Sequence, residues 1–396
     1  MARLRAVTSR DEPGRDLRIL LVPSAYYPHT GGIEETTRRL ALELERRGHE
    51  TMILTNRWPP DTRPQEVLDG LRVRRLRLEL PGRRPVAAAR FAAVAPQAAG
   101  ALLRAISRFA PDVIHINGAG PNAAYLAALR PLVRAPLVFT AHGEFRNDAH
   151  AVFERSRPLR WALRVLLRRA AAVTAPSRIV LEELETGFDL AAPASVIPNA
   201  VDIAEFDIAQ PAADPLGPYI FTAGRLVEQK GLDVLLAAYA RARSALGGHR
   251  LVIAGDGPER EPLLRLAASL GLNGDVSFTG SVGRKRLAAL LRGADAFAFP
   301  SRREAFGVAL LEAMAAGVPA VAARVGGIPE FARDGENALL VAADDAEQLA
   351  AALVRLVGEP DLRRRLVEGG RSRAALHSWD RVAPRYEALY RQVARA

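Results

Sequence analysis

The stretch LRILLVPSAYYPHTGGIEETTRRLALELERRGHETMILT, residues 17–55, sets the architecture. LRILLVP at 17–23 is a short unbroken apolar run of the kind that forms a strand buried on both faces. The next pattern is helical from about Ile33 to Arg47 and is closed by Gly48, after which ETMILT returns to a strand pattern. Strand, helix and strand in that order predict two parallel neighbours joined by a crossover helix. Moving outward, DVIHIN (112–117), PLVFTAHG (136–143), AAVTAPS (171–177) and SVIPN (195–199) continue the rhythm, with Ala/Arg/Leu-rich helices between several of them. It restarts with YIFTAGR (219–225), RLVIAGDG (250–257), VSFTG (276–280), AFAFPS (296–301) and PAVAAR (319–324). The fold class is therefore α/β, with two open parallel sheets flanked by helices.

A chain of 396 residues that is 49% hydrophobic can bury two cores, each from somewhat under about two hundred residues. The expected division is a tail at 1–16, a first Rossmann-like domain at 17–205, a linker at 206–218, a second domain at 219–377 and a C-terminal helix at 378–396. The linker follows from the proline and small residues of AEFDIAQPAADPLGP, 204–218. The last helix carries Trp379, Tyr386, Leu389 and Tyr390 as a stripe, which is expected to cross back onto the first domain.

The absence of cysteine excludes a disulfide scaffold, a thiol nucleophile and a cysteine-bound zinc, and fits a reducing compartment, so a cytoplasmic location is expected. No apolar run reaches membrane-spanning length, and MARLRAVTSRDEPGRD lacks the apolar centre of a secretion signal. The net charge of +11 comes almost wholly from arginine, since Lys230 and Lys285 are the two lysines. Without a nucleic-acid recognition module this charge predicts no nucleic-acid partner, but it suits anionic lipid or phosphorylated ligands.

Open parallel sheets bind ligands beyond the carboxyl ends of their strands. SRREAFGVALLEAMAAGVPAVAARVGGIPE, 301–330, places Glu304 and Glu312 around Phe306, Gly307 and Val308. A helix at 307–316 would aim its first N–H groups at a phosphate, and Gly307 would admit close approach. A hydrolase pair would need carboxylates about 5–9.5 Å apart across one bond, whereas eight helical residues rise about 12 Å. The expectation is a carboxylate at each end of one long ligand, Glu304 on a hexose and Glu312 on a ribose.

Arg225 and Lys230 follow a strand end and suit a diphosphate, the arginine as a fork and the lysine as a point charge. Gly31 and Gly32 open the first helix, where backbone amides can meet phosphate or sugar. His142 ends a strand of the first domain and is a candidate sugar contact, with Glu144 and Asp148 nearby. The loops GDGPER (255–260) and GSVGR (280–284) supply Gly255 and Val282 as candidate walls for the nucleotide base. No Asp-x-Asp motif or histidine cluster is present, so no cofactor and no obligatory metal are expected.

GGIE (31–34), RRGHE (46–50), AHG (141–143), IPNAVD (197–202), GRLVEQKG (224–231), GDGPE (255–259) and the Glu-x7-Glu run ending in GGIPE closely resemble the family-4 retaining glycosyltransferases of the GT-B fold, over roughly 17–395. The resemblance implies two Rossmann-like domains facing a cleft, the second binding a nucleotide-sugar donor and the first an acceptor. It implies that Arg225 and Lys230 hold the diphosphate, Glu312 the ribose and Glu304 the sugar, with His142 and Gly32 approaching from the other side. The implied reaction is same-face substitution in which a leaving phosphate oxygen assists deprotonation of the acceptor. Ala200 and Ala338 stand where the family usually has glycine, which matters only if either position needs a positive φ.

The acceptor side is less defined. ERSRPLRWALRVLLRRA (154–170) predicts a helix with Arg157, Arg160, Arg164 and Arg168 on one side and Leu159, Leu163 and Leu166 on another. Such a helix can rest on anionic membrane and serve a lipid-linked or glycan acceptor, or simply pack on a core. LRVRRLRLELPGRR, 71–84, alternates like an edge strand. A nucleotide-sugar epimerase and a non-catalytic nucleotide-sugar sensor remain the rival readings of the same fold.

Overall fold

The computed structural model describes residues 16–29, 31–82, 84–143, 156–211 and 217–395. The first sheet holds β1 (Arg18–Pro23), β2 (Glu50–Asn56), β3 (Gln65–Leu68), β4 (Leu71–Leu76), β5 (Val113–Asn117), β6 (Leu137–Thr140), β7 (Ala172–Ala175) and β8 (Ala194–Val196). Their order is β3-β4-β2-β1-β5-β6-β7-β8, parallel throughout except for the antiparallel β3/β4 pair. The helices alongside are α1 (Gly32–Arg46), α2 (Pro85–Phe109), α3 (Pro121–Ala128), α4 (Arg157–Arg169) and α5 (Arg178–Gly187). The second sheet, of order β11-β10-β9-β12-β13-β14, is wholly parallel. Its strands are β9 (Tyr219–Ala223), β10 (Arg250–Ala254), β11 (Val276–Gly280), β12 (Ala296–Phe299), β13 (Ala320–Ala323) and β14 (Leu339–Val341). Short α6 (Ile203–Asp207) joins the sheets and runs across the expected domain boundary. It is followed by α7 (Leu232–Ala242), α8 (Arg260–Ser269), α9 (Arg284–Gly293), α10 (Val308–Ala316), α11 (Ile328–Phe331), α12 (Ala346–Gly358), α13 (Pro360–Leu376) and α14 (Trp379–Arg395).

One expectation needs correction. Residues 71–76 are not an edge strand, because four-residue β3 pairs antiparallel outside them and takes the edge. Of the two readings of residues 154–170, core packing holds: Leu159, Ala162, Leu163, Leu166 and Leu167 of α4 are buried in the first domain, and Arg157, Trp161, Arg164 and Arg168 face outward. A helix that buries its leucines in protein has no apolar face left to sink into a bilayer.

The C-terminal helix does cross back. Trp379, Val382, Ala383, Tyr386, Tyr390 and Val393 of α14 complete a cluster with Ile19, Leu21, Leu40 and Val138 of the first domain. Tyr390 Oη lies 2.6 Å from His115 Nδ1 inside that cluster. Neither Ala200 nor Ala338 has a positive φ, so alanine costs no backbone strain at either position.

Candidate active site

In each sheet the chain order reverses at one place, and the loops flanking that place form the natural crevice. In the second sheet it lies between β9 and β12. The loop after β9 carries Arg225 and Lys230, and the loop after β12 carries Glu304, Phe306 and Gly307. The reversal therefore brings together two motifs that are far apart in sequence. In the first sheet the reversal lies between β1 and β5. Gly31 and Gly32 follow β1, Asn117 ends β5, and His142 follows β6 next door.

Glycines make the loops of the second sheet possible. Gly307 is the N-cap of α10 with φ +101°, a conformation that L side chains avoid. Phe306 stacks on Phe331 at 4.9 Å and fixes the approach to that helix. Gly326 has φ +53°, and a Cβ there would stand 1.7 Å from the carbonyl oxygen of Glu304. A Cβ on Gly255 would stand 1.8 Å from the carbonyl oxygen of Gly224, so Gly255 supports the loop that leads to Arg225. Val282 is half-buried in the loop before α9.

Among the charges, Lys230 Nζ forms an ion pair with Glu304 Oε1, which also accepts from Ser301 Oγ at 3.0 Å. Glu304 and Glu312 are both buried. Burial pushes the Glu312 carboxyl up, while Arg284 opposes the shift through its charge and a 2.5 Å bond from Nη1 to Oε1. Arg225 is exposed on its loop. Among the described residues no group of three His, Asp or Glu could hold a metal ion.

On the opposite side, Thr37 Oγ1 donates to the Ile33 carbonyl at 2.7 Å and must accept from Asn117 Nδ2 at 2.8 Å. That direction turns Asn117 Oδ1 toward His142 Nε2, 2.5 Å away. A carboxamide oxygen only accepts, so Nε2 carries the proton in the neutral imidazole and Nδ1 is the acceptor nitrogen. Burial pulls the His142 pKa down to about 4, so the ring is neutral near pH 7. Glu34, buried at the start of α1, is 2.7 Å from His29 Nδ1. The domains meet beside Glu304: Ser177 Oγ donates to the Ala305 carbonyl at 2.6 Å, and Glu330 accepts from the backbone N–H groups of Arg178 and Ile179.

Sequence reasoning missed Asn117, Ser177 and Arg284. A polar residue ending the buried strand DVIHIN was a usable signal for Asn117, but the other two have partners visible only in three dimensions. Glu144 and Asp148 lie outside the described residues. A groove of about 1210 Å³ runs beside this arrangement along Tyr26, Arg38, Arg39, Glu205 and Arg284.

Residues 30–205 match the model of Glycosyltransferase Family 4, and residues 204–373 match that of Glycosyl transferases group 1. The chain belongs to the family-4 glycosyltransferases. This glycosyltransferase is 31% identical over 389 residues to the GDP-mannose-dependent alpha-(1-6)-phosphatidylinositol monomannoside mannosyltransferase of Mycolicibacterium smegmatis, covering 91% of this chain and 94% of the relative. It is 33% identical over 402 residues to the D-inositol 3-phosphate glycosyltransferase of Actinosynnema mirum, covering 91% and 92%. Among solved structures, sucrose-phosphate synthase from Thermosynechococcus elongatus superposes with a TM-score of 0.80 at 25% identity, covering 96% of this glycosyltransferase and 99% of that chain. Anabaena HepE, solved with UDP and glucose, superposes with a TM-score of 0.76 at 19% identity, covering 95% and 100%. The fold is GT-B, and the enzyme is a hexosyltransferase using a nucleotide-sugar donor.

Proposed function

We propose that this glycosyltransferase moves a hexose, with retention and without an obligatory metal, from a nucleoside diphosphate sugar to a hydroxyl of a polyol or sugar head group on a glycolipid or its precursor. The observation that carries this reading is the pairing of Lys230 with Glu304 at the entrance to α10, where the chain order of the donor sheet reverses. An ammonium has three protons, so Lys230 can hold Glu304 and still donate to a phosphate oxygen. Arg225, Lys230 and the amino end of α10 then neutralise the leaving diphosphate. Glu304 accepts from hydroxyls of the transferred sugar, and Glu312 accepts from the ribose.

The bond from the anomeric carbon to the phosphate oxygen breaks as the acceptor oxygen bonds to the same face. The acceptor proton passes to the departing phosphate oxygen, so no side-chain nucleophile is needed. Neutral His142, with Gly31 and Gly32, lines the acceptor side and offers hydrogen bonds to the sugar in transfer. The named acceptors of the mannosyl and inositol relatives support a polyol head group, and the outward arginines of α4 suit its anionic membrane surroundings.

The test is incubation of GDP-mannose, and separately UDP-glucose and UDP-N-acetylglucosamine, with phosphatidylinositol vesicles or D-inositol 3-phosphate, with EDTA or magnesium. An α-linked product, identified by mass spectrometry and NMR and formed in EDTA, is expected. A β-linked product would overturn retention, and a strict need for magnesium would overturn metal independence. Epimerised or unchanged donor with every acceptor would overturn transfer itself.

A further inference from the structure

We propose that Arg284 is a positioning residue for the nucleotide ribose, holding Glu312 in place and tying it through Glu205 and Arg39 to the first helix of the acceptor domain. The inference rests on the reading that Glu312 accepts from the ribose. Arg284 opens α9 and spreads its guanidinium between two carboxylates. Nη1 donates to Glu312 Oε1 at 2.5 Å, while Nε and Nη2 clamp Glu205 at 3.0 and 2.8 Å. Glu205 Oε2 also accepts from Arg39 Nη2 at 3.0 Å, and Arg39 pairs with Asp202 as well. Arg39 Nε donates to Glu35 Oε1 at 2.8 Å, and Glu35 Oε2 accepts from Tyr27 Oη at 2.6 Å. The chain of bonds runs from the β1 loop through α1 and α6 to α9 and ends on the carboxylate of α10.

The geometry divides the labour on Glu312. Arg284 takes Oε1, and among the described residues no hydrogen bond reaches Oε2, leaving that oxygen for the ribose diol. The charged groups bearing on Glu312 are Arg284 from α9, Glu205 from α6 and Glu35 from α1. The two carboxylates and burial favour a protonated Glu312, and Arg284 is the cation that opposes them. Without Arg284 the buried carboxyl takes up a proton more readily. A neutral acid accepts less well from two hydroxyls, and a charge-assisted bond is the stronger kind. A guanidinium is suited to this place because its planar fork serves both carboxylates at once.

The experiment is calorimetric titration of GDP and its 2′,3′-dideoxy analogue, with the UDP pair in parallel, into wild type, Arg284→Met, Arg284→Lys and Glu312→Gln. Circular dichroism confirms that each variant is folded. Arg284→Met is expected to weaken the ribonucleotide about tenfold at pH 7, by loss of one charge-assisted interaction. The loss should grow at pH 6, shrink at pH 8.5 and vanish for the dideoxy analogue, with Arg284→Lys in between. Equal weakening of both nucleotides, or no weakening, would overturn the role of Arg284 while Glu312→Gln still abolished the preference for ribose. If Glu312→Gln keeps that preference in full, the ribose reading of Glu312 fails and the inference falls with it.

Discussion

Two single atoms decide how much of the site survives a substitution. Asn117 Oδ1 keeps the proton of His142 on Nε2, and burial keeps the ring neutral with a pKa of about 4. Asn117→Asp puts a carboxylate against that N–H and stabilises imidazolium, so the pKa rises. A raised pKa means that the neutral ring is lost as pH falls through the new value. The kcat/KM of the variant should decline on going from pH 8 to pH 5, where wild type stays level, and superimposable profiles would remove Asn117 from this role. Gly326→Ala acts by volume: its Cβ would stand 1.7 Å from the Glu304 carbonyl, at a φ of +53°. The backbone cost alone is about 1–3 kcal/mol, and displacement of Glu304 should lower turnover more than nucleotide affinity. An alanine variant with wild-type kcat and melting temperature contradicts it. The glycines and charges of these loops were legible because each motif is local. Arg284 was not, since its partner Glu312 lies 28 residues away in sequence and meets it only after the sheets form, whereas Asn117 was marked as a polar end to a buried strand although its partner His142 stands 25 residues on.

At the scale of elements, apolar periodicity located most of the strands and α1 to within a residue or two at their ends, but it could not say what covers a face. The leucine stripe of α4 reads the same whether lipid or protein lies against it, and only packing assigns it to the core. Residues 65–68 were overlooked because QEVL is four residues long and partly exposed, so no buried run announces β3. The stripe of α14 was legible because two tyrosines and a tryptophan on one face need a partner. That docking makes a quantitative statement. Tyr390→Phe removes the hydroxyl 2.6 Å from His115 Nδ1. His115 is fully buried, and burial holds its pKa down to about 3, so the orphaned nitrogen does not escape by protonation near neutral pH. Leaving a buried ring nitrogen without its partner costs about 1–3 kcal/mol. The loss should appear as a lower urea midpoint with an unchanged m-value, and an unchanged midpoint would show that the bond contributes nothing.

At the scale of the whole molecule, α14 makes the stability of the two domains one property. It follows α13 of the second domain directly, and it supplies Trp379, Tyr386 and Tyr390 to the core of the first domain. Near it, His377 packs edge-on to Phe306 and Phe331 beside the loop that enters α10, and Val201 and Ser378 form a bridge where the two crossovers lie side by side. Melting the second domain frees α14 and strips a wall from the other core, so neither domain should unfold alone. A nucleotide bound at 100 times its Kd adds about 2.7 kcal/mol to the folded state. Spread over the unfolding entropy of 396 residues, that corresponds to a rise of about 3 °C in the melting temperature. Scanning calorimetry should therefore show one transition that moves as a whole when nucleotide is added. Two transitions, of which only one moves, would mean that the apolar face of α14 does not couple the cores.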